Sequence, residues 1–549
     1  MIATLLALAA ALSTAAAGLS ADNVVSSPDM YIRVPLTKQD TVLGTTTAMR
    51  KRQAQPFANG SLTITPRYSS YTANLTVGSP GQTLQLILDT GSPLTWANAA
   101  NISNFVPGDT PAQAARRGQR TTICQQASCF NPNASSTNTV PGNSSVFQIA
   151  YVDGTTSIGR VVQDTGTFLG LTDTTFEFGL VEYSYSPGSL EPIGGIIGMS
   201  PQAPVQGFSS IAGALQQQAA SIYTPQTIQQ QLKNAGQILT EAFSLFLDDE
   251  YSGELLLSGV DAGRYSGPLI MVPIVDDATE LGSRFSVSLA ALGINNSSTT
   301  VAPSTALAPT LDSGTTSTYI PADLLAAIAR GLGANVIDTS SGSLMALPCT
   351  QTTNQTIDWY FANNAKIRIP LAAMLDGVYP SAAGSSFGFP GRQVCVVSLF
   401  GVQPTADASY ILGDSFLRSA YVVYDEPNGL IGLAQSAYDG VSQISPIQPG
   451  AFGVPGAVYN RSSPGAAAVA SIPSISRTVI LGATSVQRSG AGGTGTPAAA
   501  AGGAGSATTT SRAAGMSLSK QAPLQRRMHG WEAGLLASLV GAVCMGLAL

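Results

Sequence analysis

Two short segments of this 549-residue chain carry one pattern, and that pattern limits the fold more than any other feature. The first is Leu86-Ile87-Leu88-Asp89-Thr90-Gly91-Ser92, and the second is Pro309-Thr310-Leu311-Asp312-Ser313-Gly314-Thr315-Thr316. Each is an extended apolar run that ends in Asp-(Thr/Ser)-Gly-(Ser/Thr). Each is followed, about a hundred residues later, by two aliphatics and a glycine. These are Ile196-Ile197-Gly198 and Ile411-Leu412-Gly413. The chain therefore reads as an internal duplication, with two lobes of similar plan.

The repeated residues suit one kind of chemistry. A strand that ends at Asp and turns on Gly presents a carboxylate at a loop tip. Gly lacks a Cβ, so another backbone can come close. Two such tips, one per lobe, can place two carboxylates together. Like charges at close range do not both ionise easily, so the pair shares one proton. The ionised member activates a water, and the protonated member polarises a carbonyl. The hydroxyls of Ser92 and Thr315 are placed to donate to the outer carboxylate oxygens.

Composition removes the alternatives. The only histidine is His529, close to the end of the chain. A Ser-His-Asp triad, a Cys-His pair and a His-ligated zinc are excluded from the body of the protein. Between residues 53 and 440 there are 27 Asp and Glu against 13 Lys and Arg, a surface that repels nucleic acid and anionic headgroups. Five cysteines occur, at 124, 129, 349, 395 and 544. Without Cys544, which lies in an apolar tail, four remain, as expected for two disulfides in an oxidising compartment. Sequence alone leaves three pairings open.

Residues 1–20 read as a secretory signal peptide, with a short apolar run that ends in small residues. Residues 21–52 read as a pro-segment that ends in Lys51-Arg52, and they are set aside from the fold. From about residue 62 to 433 the texture is all-β. Expected strands include 61–65, 83–88, 285–289 and 421–424, and the best helix is 321–331. The first lobe is expected over 53–250 and the second over 251–440. Residues 441–530 are rich in Ser, Ala, Gly, Thr and Pro and read as a flexible stalk. Residues 531–549 read as a GPI-anchor signal, with an apolar run and small residues upstream at Ala513, Ala514, Gly515 and Ser517. Sequons start at Asn59, Asn74, Asn101, Asn133, Asn143, Asn295, Asn296, Asn354 and Asn460, which favours a glycosylated surface.

Across residues from about 62 to 436 the chain resembles a pepsin-type aspartic protease. The resemblance rests on Asp89-Thr90-Gly91-Ser92 followed by Trp96, and on Asp312-Ser313-Gly314-Thr315. It also rests on Tyr151-Val152-Asp153-Gly154-Thr155, which matches the flap, and on the closing segment ILGDSFLRSAYVVYDEPNGLIGLA at 411–434. The stretch 252–269 resembles fungal secreted members. The tail and the Lys-Arg site resemble the yapsin-like, surface-anchored group.

The resemblance implies an all-β, bilobal pepsin-like fold with the active-site cleft between two related lobes. It implies Asp89 and Asp312 as the catalytic dyad, supported by Thr90, Gly91, Ser92, Ser313, Gly314 and Thr315. It makes Tyr151 the flap tyrosine supported by Trp96, places Gly154 in the flap, and sets Asp153 at a subsite that favours Lys or Arg. It pairs Cys124 with Cys129 and Cys349 with Cys395. The implied activity is acid-active peptide-bond hydrolysis, without metal or cofactor. The implied partners are peptide and protein substrates, and the expected state is a monomer reaching the membrane through a lipid anchor. Three features depart from the pattern. Val152 stands where many members have Gly. Ser313 stands where pepsin has Thr. Only 125–128 separate the first two cysteines, so a preference for paired basic residues is not carried over. The alternative reading is a catalytically silent, wall-attached binding protein on the same scaffold. Retention of both aspartates speaks against it.

Overall fold

The structure is a computed structural model. It describes residues 31–41, 68–106, 109–117, 124, 129–141, 145–151, 155–168, 171–185, 194–201, 221–222, 226–248, 252–275, 285–297, 299–303, 306–339, 342–403, 409–459 and 478–480. The signal peptide, Lys51-Arg52, the 61–65 run, Val152, Asp153, Gly154, most of the stalk and the apolar tail lie outside the described residues.

The duplication is visible in the strand ladders. Gln82–Asp89 runs parallel to Gly195–Gly198, with Asp89 opposite Gly198. Thr310–Leu311 runs parallel to Ile411–Leu412 in the same way. In each lobe the next strand, Trp96–Asn104 or Thr318–Pro321, pairs antiparallel with that glycine-bearing strand. That next strand also pairs parallel with a long one, Leu171–Tyr185 in the first lobe and Val394–Val402 in the second. Period-two patterning sets the faces. Leu84, Leu86 and Leu88 are fully buried, while Thr83, Gln85 and Ile87 point the other way.

The sequence boundaries are close to those observed. The 83–88 run becomes Gln82–Asp89, and 421–424 becomes Ala420–Asp425. The expected helix is Ala322–Leu332, closed by Gly333 at φ 67°, the left-handed cap that glycine supplies. The 285–289 run is shifted. Ser286 and Val287 make isolated bridges, and the strand is Leu289–Ile294.

Two segments placed outside the lobes take part in the described sheets. Part of the segment set aside as a pro-segment is a strand of the main sheet. Ile32–Thr41 pairs with Ser252–Leu257 on one side and with Tyr68–Val77 on the other. Among the described residues it is the strand that joins the two halves of the 15-stranded sheet. Its alternation explains this, because Ile32, Val34 and Leu36 are buried in the common core. Arg33 reaches across to the buried carboxylate of Glu254.

The second lies at the end of the second lobe. The chain does not loosen at 440. Ile444–Pro446 pairs with Gly259–Asp261, and Ala457–Val458 pairs with the strand Tyr265–Pro273. Ile447 and Val454, 1% and 3% exposed, pack into a cluster with Phe246, Met271 and Tyr421. Asp261 ties the strap down, accepting from Ser442 Oγ and Gln443 N, each at 2.6 Å. Stalk composition hid two apolar residues at the right spacing to close a small core.

Replacing Ile447 with Ala should therefore cost about 2–4 kcal/mol, as deletion of a buried aliphatic does. Replacing Val458, which is 51% exposed, should change the melting temperature by less than about 1 °C. Equal melting temperatures for the two variants would refute the strap. A pH effect follows from the turn after Ala420–Asp425. Burial, followed by the nearby Glu241 charge, pushes Glu426 up to about 7. Lys233, which pairs with Glu241 at 2.8 Å, offsets part of this. The folded state favours neutral Glu426. Its full contribution is present below the ordinary Glu range and is lost as pH rises towards 7. Glu426→Gln should raise the melting temperature at pH 7.5 by about 1–2 °C and leave it unchanged at pH 4, by calorimetry.

Candidate active site

The two Asp-(Thr/Ser)-Gly tips meet where the two lobes join. Asp89 and Asp312 are 1% and 0% exposed, and their carboxyls hydrogen-bond to each other. The support is nearly symmetric. Gly91 N donates to Asp89 Oδ1 at 2.8 Å, and Gly314 N donates to Asp312 Oδ1 at 2.8 Å. Ser92 Oγ donates to Asp89 Oδ2 at 2.5 Å, and Thr315 Oγ1 donates to Asp312 Oδ2 at 2.6 Å. The hydroxyls expected at the outer oxygens are therefore there.

Glycine is required at both tips. A Cβ on Gly91 would lie 2.6 Å from Asp312 Cγ, and one on Gly314 would lie 2.6 Å from Asp89 Oδ1. Each glycine faces the carboxylate of the opposite lobe. The missing side chain is what lets the two loops close.

The residues between Asp and Gly do a different job. Thr90 Oγ1 donates to the carbonyl of Leu311, and Ser313 Oγ donates to the carbonyl of Leu88, each at 2.8 Å. In return, Ser313 N donates to Thr90 Oγ1 at 2.9 Å and Thr90 N donates to Ser313 Oγ at 3.2 Å. Four buried hydrogen bonds thus cross the lobe boundary. Ser313 keeps both hydrogen bonds of the hydroxyl that Thr would also supply. The carbonyls of Leu88 and Leu311 carry no side-chain signal, and sequence reading missed them as partners.

Burial pushes both carboxyls up from the usual range, and it is the largest cause for each. The negative charge of Asp89 raises Asp312 further, while the hydrogen bonds from Ser92, Asp312 and the backbone of Gly91 and Ser92 hold Asp89 down. The pair therefore holds one proton between its two carboxyls over a wide pH range, and the titrations belong to the pair. One carboxylate and one carboxylic acid side by side form a base and an acid within reach of one water.

Tyr151 belongs to a buried cluster of the first lobe. It follows strand Ser145–Ala150 and its N–H donates to the Thr155 carbonyl, which starts the hairpin return into Thr156–Phe168. Its hydroxyl accepts from Trp96 Nε1 at 2.7 Å. Both rings are buried, together with Phe147, Ile149 and Ile196. Asp153 and Gly154 lie outside the described residues. Cys124 is bonded to Cys129 and Cys349 to Cys395. Among the described residues no three His, Cys, Asp or Glu side chains gather as a metal site.

The comparisons agree with this geometry. The model of the family described as eukaryotic aspartyl protease matches residues 70–436. Secreted aspartic protease 1 of Candida albicans is 33% identical over 400 residues, covering 72% of this chain and 88% of that protein. Aspartic proteinase sxa1 of Schizosaccharomyces pombe is 30% identical over 386 residues, covering 66% of this chain and 67% of that protein. A duplicated all-β fold, two facing carboxyls and these matches lead to one conclusion: the chain belongs to the eukaryotic aspartyl protease family and is an aspartic endopeptidase.

Proposed function

We propose that Asp89 and Asp312 perform the hydrolysis, and that the enzyme acts in acid outside the cell, held at the surface by its C-terminal tail. The observation that supports the dyad is the buried carboxyl pair with its matched donors. In this reading a water sits between the carboxyls. The ionised member of the Asp89/Asp312 pair takes its proton as the water attacks the scissile carbonyl, and the protonated member donates to the carbonyl oxygen. A tetrahedral diol forms. As the C–N bond breaks, the proton taken from the water passes to the leaving nitrogen and one diol hydroxyl returns its proton to the carboxylate that protonated the carbonyl oxygen, which restores the singly protonated pair and leaves the carboxylic acid product. Tyr151 covers the substrate and excludes water, steadied by Trp96. Asp153 favours a basic side chain next to the cut.

Secretion is supported by the apolar leader and by the resemblance to a protease named as secreted. Surface attachment is supported by the apolar run at 533–549 and the small residues upstream. Among the described residues no helix is long and apolar enough to cross a membrane. An enzyme held there would process or shed extracellular proteins. Release of a pro-segment at Lys51-Arg52 would have to break both ladders of Ile32–Thr41 and the Arg33–Glu254 pair.

Asp89→Asn and Asp312→Asn should each lower kcat on a peptide substrate by about 10³-fold or more with the fold intact. Wild-type cleavage should fall as pH rises, because a doubly ionised pair lacks the acid. Retained cleavage in either variant would sink the dyad. Trp96→Phe removes only the donor to Tyr151 and a little ring area. It should lower kcat about 3–10-fold with a smaller change in KM, measured by steady-state kinetics.

A further inference from the structure

We propose that Gln229, far in sequence from both Asp motifs, is a positioning residue for Asp89. It is 0% exposed and lies in the first turn of the helix Ile228–Asn234. Its Nε2 donates to the carbonyl of Met199 at 2.7 Å. Met199 is itself fully buried and follows the repeated glycine Gly198.

The Met199–Ser200 peptide is the link. Met199 N donates to the carbonyl of Asp89 at 2.8 Å. Ser200 N donates to the carbonyl of Ser92 at 3.0 Å. A peptide unit is planar, with its C=O and N–H pointing in opposite directions. Fixing the Met199 carbonyl therefore fixes the direction of the Ser200 N–H. That N–H holds Ser92, and the Ser92 hydroxyl donates to Asp89 Oδ2. A chain of direct contacts thus runs from Gln229 through one peptide plane to the outer oxygen of Asp89.

The platform behind Gln229 is stiff. Thr227 and Gln230 form a capping box at the helix start. Gln231 exchanges hydrogen bonds with the backbone of Glu177 on the neighbouring strand, at 2.8 and 2.9 Å. The second lobe needs no such side chain. There, Asp414 follows Gly413 as Met199 follows Gly198, and its carbonyl accepts from Arg418 N at 3.0 Å, within the turn of its own helix. The first lobe brings in a remote amide for the same task. The choice has a cost, because Gln229 Oε1 is buried without a hydrogen-bond partner. An apolar residue would avoid that cost and would lose the contact to Met199.

The inference rests on Asp89 as half of the dyad, which Asp89→Asn tests separately. The test uses the full chain with a peptide substrate. Gln229→Leu keeps the size and removes the donor. Its kcat should fall about tenfold while KM stays within about twofold, as expected for a slightly misplaced reacting group. Gln229→Glu supplies the decisive arm. In acid its neutral carboxyl can donate an O–H to the Met199 carbonyl, and when ionised it cannot. Its kcat should recover most of the wild-type value at the acid end and fall away at lower pH than the wild type. Wild-type kcat in Gln229→Leu overturns the proposal. So does a Gln229→Glu enzyme no more active in acid than Gln229→Leu. If Gln229→Leu does not fold, the Glu variant decides alone, by whether its activity is near wild type in acid and lost early as pH rises.

Discussion

The exchange between Thr90 and Ser313 is the constraint on which the rest depends. Two hydroxyls each give one bond to a carbonyl of the other lobe and accept one N–H from it. Hydrogen bonds in a water-free interior are strong, and a buried donor or acceptor left alone is costly. The lobes can separate only by breaking those four bonds. That locks the distance between the loops, and the distance between the loops sets the distance between the carboxyls. Gly91 and Gly314 then become obligatory, since each faces the opposite Asp at a separation no side chain would fit.

Holding two carboxyls together this way sets a direction in pH for more than the site. Asp89 and Asp312 both favour protonation through burial. So do Glu182, Glu254, Asp425 and Glu426, each with burial as the largest cause. None of these carboxyls is held below the usual range. A group raised in the folded state stabilises that state in acid and ceases to do so as it ionises. The fold and the dyad therefore both favour acid. The acidic composition contributes too, because self-repulsion eases as carboxylates neutralise.

Much of this was legible in the sequence. The Asp-(Thr/Ser)-Gly pair and the aliphatic-aliphatic-Gly partners specify a register, since parallel pairing puts Asp89 opposite Gly198. Tyr151 and Trp96 were assigned to one another through the resemblance, and the 2.7 Å bond between them is present. What remained hidden shares a physical cause. The grip uses backbone carbonyls of Leu88 and Leu311, and a carbonyl leaves no mark in a sequence. Gln229 is one of many glutamines in a polar-looking stretch, and only burial singles it out. Ile32–Thr41 was set aside because it precedes a Lys-Arg pair, although its Ile-Val-Leu alternation is a good strand signal. Ile447 and Val454 were diluted by stalk-like composition. Local composition reports average environment, while a core closes on individual side chains.

Duplication explains why these misses cluster where the two lobes differ. The motif strands, their glycine-bearing partners and the following strands follow one plan in both halves. A repeat constrains what must be symmetric, namely two equivalent carboxyls facing each other. It leaves free how each half supports its own tip. The second lobe follows Gly413 with a short helix, so local backbone bonds hold that peptide. The first lobe follows Gly198 with Met199 and Ser200 and must borrow a donor from a distant helix. A bridging strand from before the first lobe and a strap from after the second belong to neither copy of the repeat. Symmetry brings the two aspartates together, and asymmetric additions hold the symmetric parts in place.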